Sequence, residues 1–84
     1  MLRPRLAFAR IMQIWARSEL KRRRAKMGFT ATEFAQQMAL TRQWWSEIEN
    51  KRRPTSPHTA RRACDALDAT FDELFFIKDD GPQD

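Results

Sequence analysis

The sequence predicts an all-α fold. Three observations carry that prediction: apolar residues recur at helical spacing, hydroxyl side chains stand where helix caps belong, and the connecting segments are short and polar. In chain order, residues from about Arg5 to Met27 read as helix, with a break near Arg17-Ser18. Phe8, Ile11 and Trp15 fall on one face, and Ala16, Leu20 and Met27 fall on another, about a third of a turn or more away. The first face needs cover, either from Phe75-Phe76-Ile77 at the other end of the chain or from a second subunit. Self-association is the expected role of Phe8, Ile11 and Trp15, with folding onto the chain's own last helix as the alternative. Gly28 ends this segment as a C-cap glycine, and Phe29 drops into the core beside Phe34.

The stretch from Thr30 to Asn50 holds two short helix signatures joined by a turn too tight for antiparallel packing. Thr30 stands three residues before Glu33, the spacing of a capping box, and Phe34, Ala35 and Met38 supply an apolar side to a helix over about Ala31 to Met38. Thr41 caps a second helix, in which Trp45 and Ile48 form the buried stripe. Arg42, Gln43, Ser46 and Glu47 are left on its solvent side. Lys51 to Pro57, with two prolines and three cations, is a loop. Pro57 starts a fourth helix behind the cap Ser56, running to about Leu67 with a thin apolar side of Ala60, Ala63, Cys64, Ala66 and Leu67. A last helix covers Asp72 to about Ile77, capped by Thr70 or by Phe71-Asp72.

Eighty-four residues make one domain. Sixteen Lys and Arg against eleven Asp and Glu give a net charge of +5, which favours an anionic partner such as nucleic acid. Residues 1 to 18 carry four Arg and no acid, Lys21 to Arg24 form a second basic run, and Lys51-Arg52-Arg53 form a third. Acids gather late, at Asp65, Asp68, Asp72, Glu73, Asp79, Asp80 and Asp84, so a basic face and an opposed acidic face are expected. The implied divisions are a basic amphipathic extension over 1–17, a binding domain over 18–78 and an acidic flexible tail over 79–84. The single cysteine, Cys64, reads as a core thiol, and the single histidine, His58, has no companion at metal-ligand spacing. No metal, no cofactor and no enzymatic activity are expected, since there is no Gly-rich phosphate loop and no Cys/His dyad. No apolar run has membrane-spanning length.

From Leu20 to Phe75 the chain resembles the lambda and 434 repressor-like helix-turn-helix family, the Cro/C1 or XRE type. The matching residues are Leu20 and Arg24, Gly28-Phe29-Thr30, Glu33-Phe34-Ala35, Leu40-Thr41, Ile48-Glu49-Asn50, Thr59, Ala66-Leu67 and Thr70 to Phe75. The resemblance implies a compact five-helix domain whose third helix enters the DNA major groove. It also implies a partly buried ion pair between Arg24 and Glu49. Three positions depart from the family pattern: Ala31 stands for a frequent glutamine, and Ala39 and Lys51 stand for frequent glycines.

On that resemblance, Arg42, Gln43, Trp44 and Glu47 are the candidate base-reading residues. Arg suits guanine O6 and N7, Gln suits adenine N6 and N7, and Glu accepts from a cytosine amino group. Phosphate contact or solvation is the alternative for Arg42 and Gln43, an ion pair with Arg42 is one for Glu47, and packing on the second helix is one for Trp44. Thr30, Thr32, Thr41, Ser46, Asn50, Lys51, Arg52 and Arg53 are candidates for the DNA backbone. The expected function is a sequence-specific transcriptional regulator, a repressor acting as a homodimer on an inverted repeat of double-stranded DNA, cytoplasmic and encoded by a bacterium or phage. The rival readings are an antitoxin with a toxin partner, and a non-specific architectural or RNA-binding protein.

Overall fold

The computed structural model describes residues 12–79. Among them are five helices and a two-stranded antiparallel sheet, which corrects the all-α expectation and, over Met12–Ala16, the expected N-terminal helical extension. The elements are β1 (Met12–Ala16), α1 (Ser18–Lys26), α2 (Ala31–Gln37), α3 (Arg42–Glu49), α4 (Pro57–Leu67), α5 (Phe71–Leu74) and β2 (Phe75–Asp79).

The sheet takes residues from both ends of the expected helical pattern. Met12–Ala16 is strand where a helix from Arg5 was expected, and α5 is a single turn that becomes strand at Phe75 instead of continuing to Ile77. The register sets Ile14 opposite Ile77, Trp15 opposite Phe76 and Ala16 opposite Phe75. The reason is burial at a period of two. Ile14, Ala16 and Phe75 are buried, while Gln13, Trp15 and Phe76 alternate with them and are only half-buried. A helix would separate Ile14 from Ala16 by about 200° and could not bury both on one core. Met27, expected on the core side of the first helix, is exposed. Phe8 and Ile11 lie outside the described residues.

Arg17 joins the sheet to the helices. Its backbone N–H donates to Leu74 O at 2.8 Å, and its Nε donates to Asp72 O at 2.9 Å and Phe75 O at 3.1 Å. Of the α5 carbonyls that a four-residue helix cannot satisfy internally, Asp72 O thus finds a charged donor and Leu74 O a backbone one. On the far edge of β1, Thr55 N–H donates to Ile14 O at 2.9 Å, drawing the loop after α3 against the sheet.

Trp45, Phe34, Phe75, Leu20, Ile48, Leu67 and Leu74 are the largest fully buried side chains. Phe34 lies at the centre, with its ring 4.9 Å from Trp45 and 5.4 Å, edge-on, from Phe29. α4 offers Ala60, Ala63 and Cys64, which permit close approach but remove little apolar area from water, so the aromatic residues dominate the burial. Burial, then the nearby Asp65 and Glu73 charges, push the Cys64 thiol up from its ordinary range.

Helix starts and stops are chemically explicit. Thr30 with Glu33 and Thr70 with Glu73 form reciprocal capping boxes, and Thr41 and Ser56 accept from Trp44 N–H and Thr59 N–H. After α1, α2 and α3 the chain turns through a left-handed residue, at Gly28 (φ 88°), Ala39 (φ 61°) and Lys51 (φ 61°). Each of these turns carries the paired bonds of a Schellman motif. Ala39 N–H donates to Gln36 O and Leu40 N–H to Ala35 O, while Lys51 N–H donates to Ile48 O and Arg52 N–H to Glu47 O. Only the first uses glycine.

Candidate nucleic-acid interface

α2 and α3 pack on each other across the turn at Ala39, which fixes the roll of α3. Trp45, Ile48 and Glu49 then point inward, leaving Arg42, Gln43 and Trp44 exposed and Ser46 and Glu47 half-buried on the outer side. That side carries a shallow depression of about 250 Å³ lined by Arg42, Gln43, Ser46, Glu47, Asn50 and Arg52. Two guanidinium groups, two amides, a hydroxyl and a carboxylate converge there, supplying both donors and acceptors on one surface.

Behind this surface, Arg24 on α1 meets Glu49 at the end of α3. Arg24 Nε donates to Glu49 Oε2 at 2.6 Å, Nη2 donates to Oε1 at 3.0 Å, and Nη1 donates to Phe29 O at 2.8 Å. Both side chains are buried. Trp45, expected only as a core residue, joins the pair: its indole N–H donates to Glu49 Oε2 at 2.9 Å. The available signal was the spacing of four between Trp45 and Glu49 on one helix.

The remaining candidates divide by what they already touch. The Thr30 and Thr41 hydroxyls accept from helix amides and retain their own hydrogens as donors, and Thr32 is exposed in the first turn of α2. Asn50 Nδ2 donates to Ser46 Oγ at 3.2 Å, and Lys51 Nζ donates to Ser18 Oγ at 3.1 Å, back on α1. Arg52 is exposed.

Glu47 is paired with Arg53, not with Arg42. Arg53 Nε and Nη2 reach the same oxygen, Glu47 Oε1, at 2.8 Å and 2.7 Å, and the guanidinium carbon sits 3.7 Å from the centre of the Trp44 ring. The Arg53 hydrogen bond is the main reason the Glu47 carboxyl lies below its ordinary range, with Gln43 and Arg52 adding to the effect. This grouping escaped the sequence reading because Arg53 belongs to a loop whose path no local pattern fixes. Trp15, grouped in the sequence with Phe8 and Ile11, lies on the sheet across from Phe76, remote in sequence from α3.

Away from α3, β1, α4 and β2 border an apolar groove of about 570 Å³ that includes Met12, Ile14, Cys64, Phe71 and Ile77. Met12 and Ile77 are more than half exposed at its rim. Among the described residues no group of His, Cys, Asp and Glu is gathered as for a metal ion, and no helix is long and apolar enough to cross a membrane.

The model of a helix-turn-helix domain family matches residues 16–74. Among solved structures, the chain is similar to the clp gene regulator ClgR from Corynebacterium glutamicum, with 28% identity and a TM-score of 0.62. The likeness covers 67% of this chain and 60% of that one, so the chain spans less than two thirds of that structure's length. No curated protein matches the sequence.

Proposed function

Because this chain belongs to the helix-turn-helix domain family, we propose that it is a sequence-specific DNA-binding transcriptional regulator, a repressor that binds an inverted repeat as a homodimer. The supporting observation is the outer side of α3, where Arg42, Gln43, Ser46, Glu47 and Asn50 border one depression beside the cations of the following loop. In this reading α3 enters the major groove. Arg42, Gln43 and Glu47 face base edges with Trp44 beside them, while Thr30, Thr32, Thr41, Ser46, Asn50, Lys51 and Arg52 hold the phosphates and Arg53 stands in the same loop against Glu47 and Trp44. The Arg24–Glu49 pair keeps α3 seated against α1. The basic residues of 1–17 add sequence-independent affinity, and the setting is the cytoplasm of a bacterium or an infected host. Similarity to a gene regulator supports the regulatory part of this reading.

The apolar groove bordered by β1, α4 and β2 supports the dimer, since a surface of that character is commonly covered by another protein. The same groove supports a second reading, an antitoxin that covers it with a toxin partner; co-expression with the product of an adjacent gene separates the two.

Selection from a random duplex pool at near-physiological salt tests the main reading. An enriched inverted repeat with half-sites about one helical turn, ~34–36 Å, apart is the expected result. Tight binding without any enriched sequence would reject it in favour of an architectural or RNA-binding role.

A further inference from the structure

Glu47 is a carboxylate on a surface read as facing a polyanion, and left bare it would repel phosphates. The structure does not leave it bare. Arg53 Nε donates to the single oxygen Oε1 at 2.8 Å, and the charged Nη2 lies 2.7 Å from that same oxygen. Neither Arg53 contact falls on Oε2, and Gln43 is a further side chain close enough to act on the carboxylate. The guanidinium is held from its other side by the Trp44 ring at 3.7 Å, a stacking arrangement that a planar cation makes well. Trp44 and Glu47 are one turn apart on α3, so both supports of Arg53 come from the same rigid helix. Trp44 remains nearly half exposed, with Arg53 occupying the space over its ring.

The geometry points to Trp44, Glu47 and Arg53 acting as one specificity unit, in which Trp44 and Arg53 are positioning residues that neutralise Glu47 and aim Oε2 at a base amino group, that of cytosine N4. This rests on the reading of α3 as the helix in the major groove. Three consequences follow from the chemistry. Arg53 removes the net charge that would oppose DNA, so Glu47 can approach without the repulsion of a free carboxylate. By occupying Oε1 it fixes the rotation of the carboxylate, leaving a single acceptor with a defined direction. Trp44 acts as the platform for Arg53, which explains a large aromatic side chain at an exposed position.

The test is the base-preference profile of the full chain on its selected duplex site, measured for wild type, Glu47→Gln, Arg53→Lys, Trp44→Leu and the double variant Glu47→Gln/Arg53→Lys. Arg53→Lys retains the cation but cannot offer the paired donors or the planar face. The expected result is a loss of preference, about fivefold or more, at one and the same base position in all three single variants, with no further loss in the double variant. Far-ultraviolet circular dichroism and unfolding midpoints check that each variant is folded. Equal weakening of Arg53→Lys on every sequence, with the base preference intact, would make Arg53 a plain phosphate contact and overturn the proposal. An unchanged profile in Glu47→Gln would overturn it as well. A wild-type chain that prefers no sequence would remove the underlying DNA-reading assignment instead, an outcome distinct from both.

Discussion

Trp45 donates its indole N–H to Glu49 Oε2, the oxygen that also accepts from Arg24 Nε. One buried carboxylate therefore collects a donor from its own helix and two from α1, and Arg24 in turn holds the carbonyl of Phe29 at the entrance to α2. One charged pair thus joins α1 to α3 and ties in the residue that leads into α2. Removing Glu49 orphans three buried donors, whereas removing Arg24 leaves Glu49 with Trp45. We expect Glu49→Leu and Arg24→Leu each to cost about 3 to 5 kcal/mol, with Glu49→Leu at least as costly. The double variant Arg24→Leu/Glu49→Leu should regain much of that loss, because no unpaired charge remains. Urea unfolding of the three variants checks this, and additive single losses would show that the pair is not coupled.

Ala39 and Lys51 both sit at the left-handed residue of a Schellman turn, one on each side of α3. A Cβ there costs about 1 to 2 kcal/mol, partly offset by the extra freedom glycine gives the unfolded chain, about 0.4 to 1 kcal/mol. Ala39→Gly and Lys51→Gly should each stabilise the fold by roughly 0.5 to 1 kcal/mol. On DNA the two are expected to part company: Ala39→Gly leaves affinity unchanged, while Lys51→Gly weakens all sequences alike and lowers the slope of log affinity against log salt by about one. A stabilised Lys51→Gly with undiminished salt dependence would remove Lys51 from the phosphate contacts.

What could be read from the sequence divides by range. The segment from Thr30 to Asn50 announces itself locally, since Thr30 with Glu33 and Thr41 with Trp44 N–H settle within one helical turn. β1 and β2 do not. They meet from opposite ends of the chain, and Ile11 with Trp15 on one face and Ala16 with Leu20 on another also satisfy a helical spacing, so only the facing Phe75 and Ile77 decide between periods of two and 3.6. Arg53 is a similar case in the candidate site: three consecutive cations in a loop are visible, but which of them returns to α3 depends on the Lys51 turn and the Thr55–Ile14 hydrogen bond.

Among the described residues three carboxylates are held below their ordinary range, and they are expected to contribute to the acid response. Glu33 is lowered chiefly by the Thr30 backbone N–H, Glu73 chiefly by that of Thr70, and Glu47 chiefly by Arg53. For a group depressed in the folded state, the stabilisation is complete above the unfolded pKa, about 4.3 for Glu, and is lost as pH falls through the folded value. Melting temperature should therefore be flat from neutral pH down to about 5 and decline below about 4.3. The variant Glu33→Gln/Glu73→Gln should start lower and decline less over the same acid range. An equally steep decline would assign the acid sensitivity to other groups.

The alternation in β2 provides a test of the sheet that a helix could not imitate. Phe75 is fully buried opposite Ala16, whereas Phe76 lies half-buried on the other face with the Arg17 guanidinium 5.2 Å over its ring. Adjacent phenylalanines should consequently differ sharply. Phe75→Ala removes a fully buried ring next to Phe71, 5.7 Å away, and is expected to cost about 3 to 5 kcal/mol. Phe76→Ala forfeits a partly exposed ring and one cation–π contact and should cost about 1 kcal/mol or less. Had α5 continued to Ile77, residues 75 and 76 would lie about 100° apart on one cylinder and both could share the core margin. Comparable losses for the two alanine variants, measured by thermal and urea unfolding, would argue against the strand register. A large gap between them would locate the core boundary between Phe75 and Phe76.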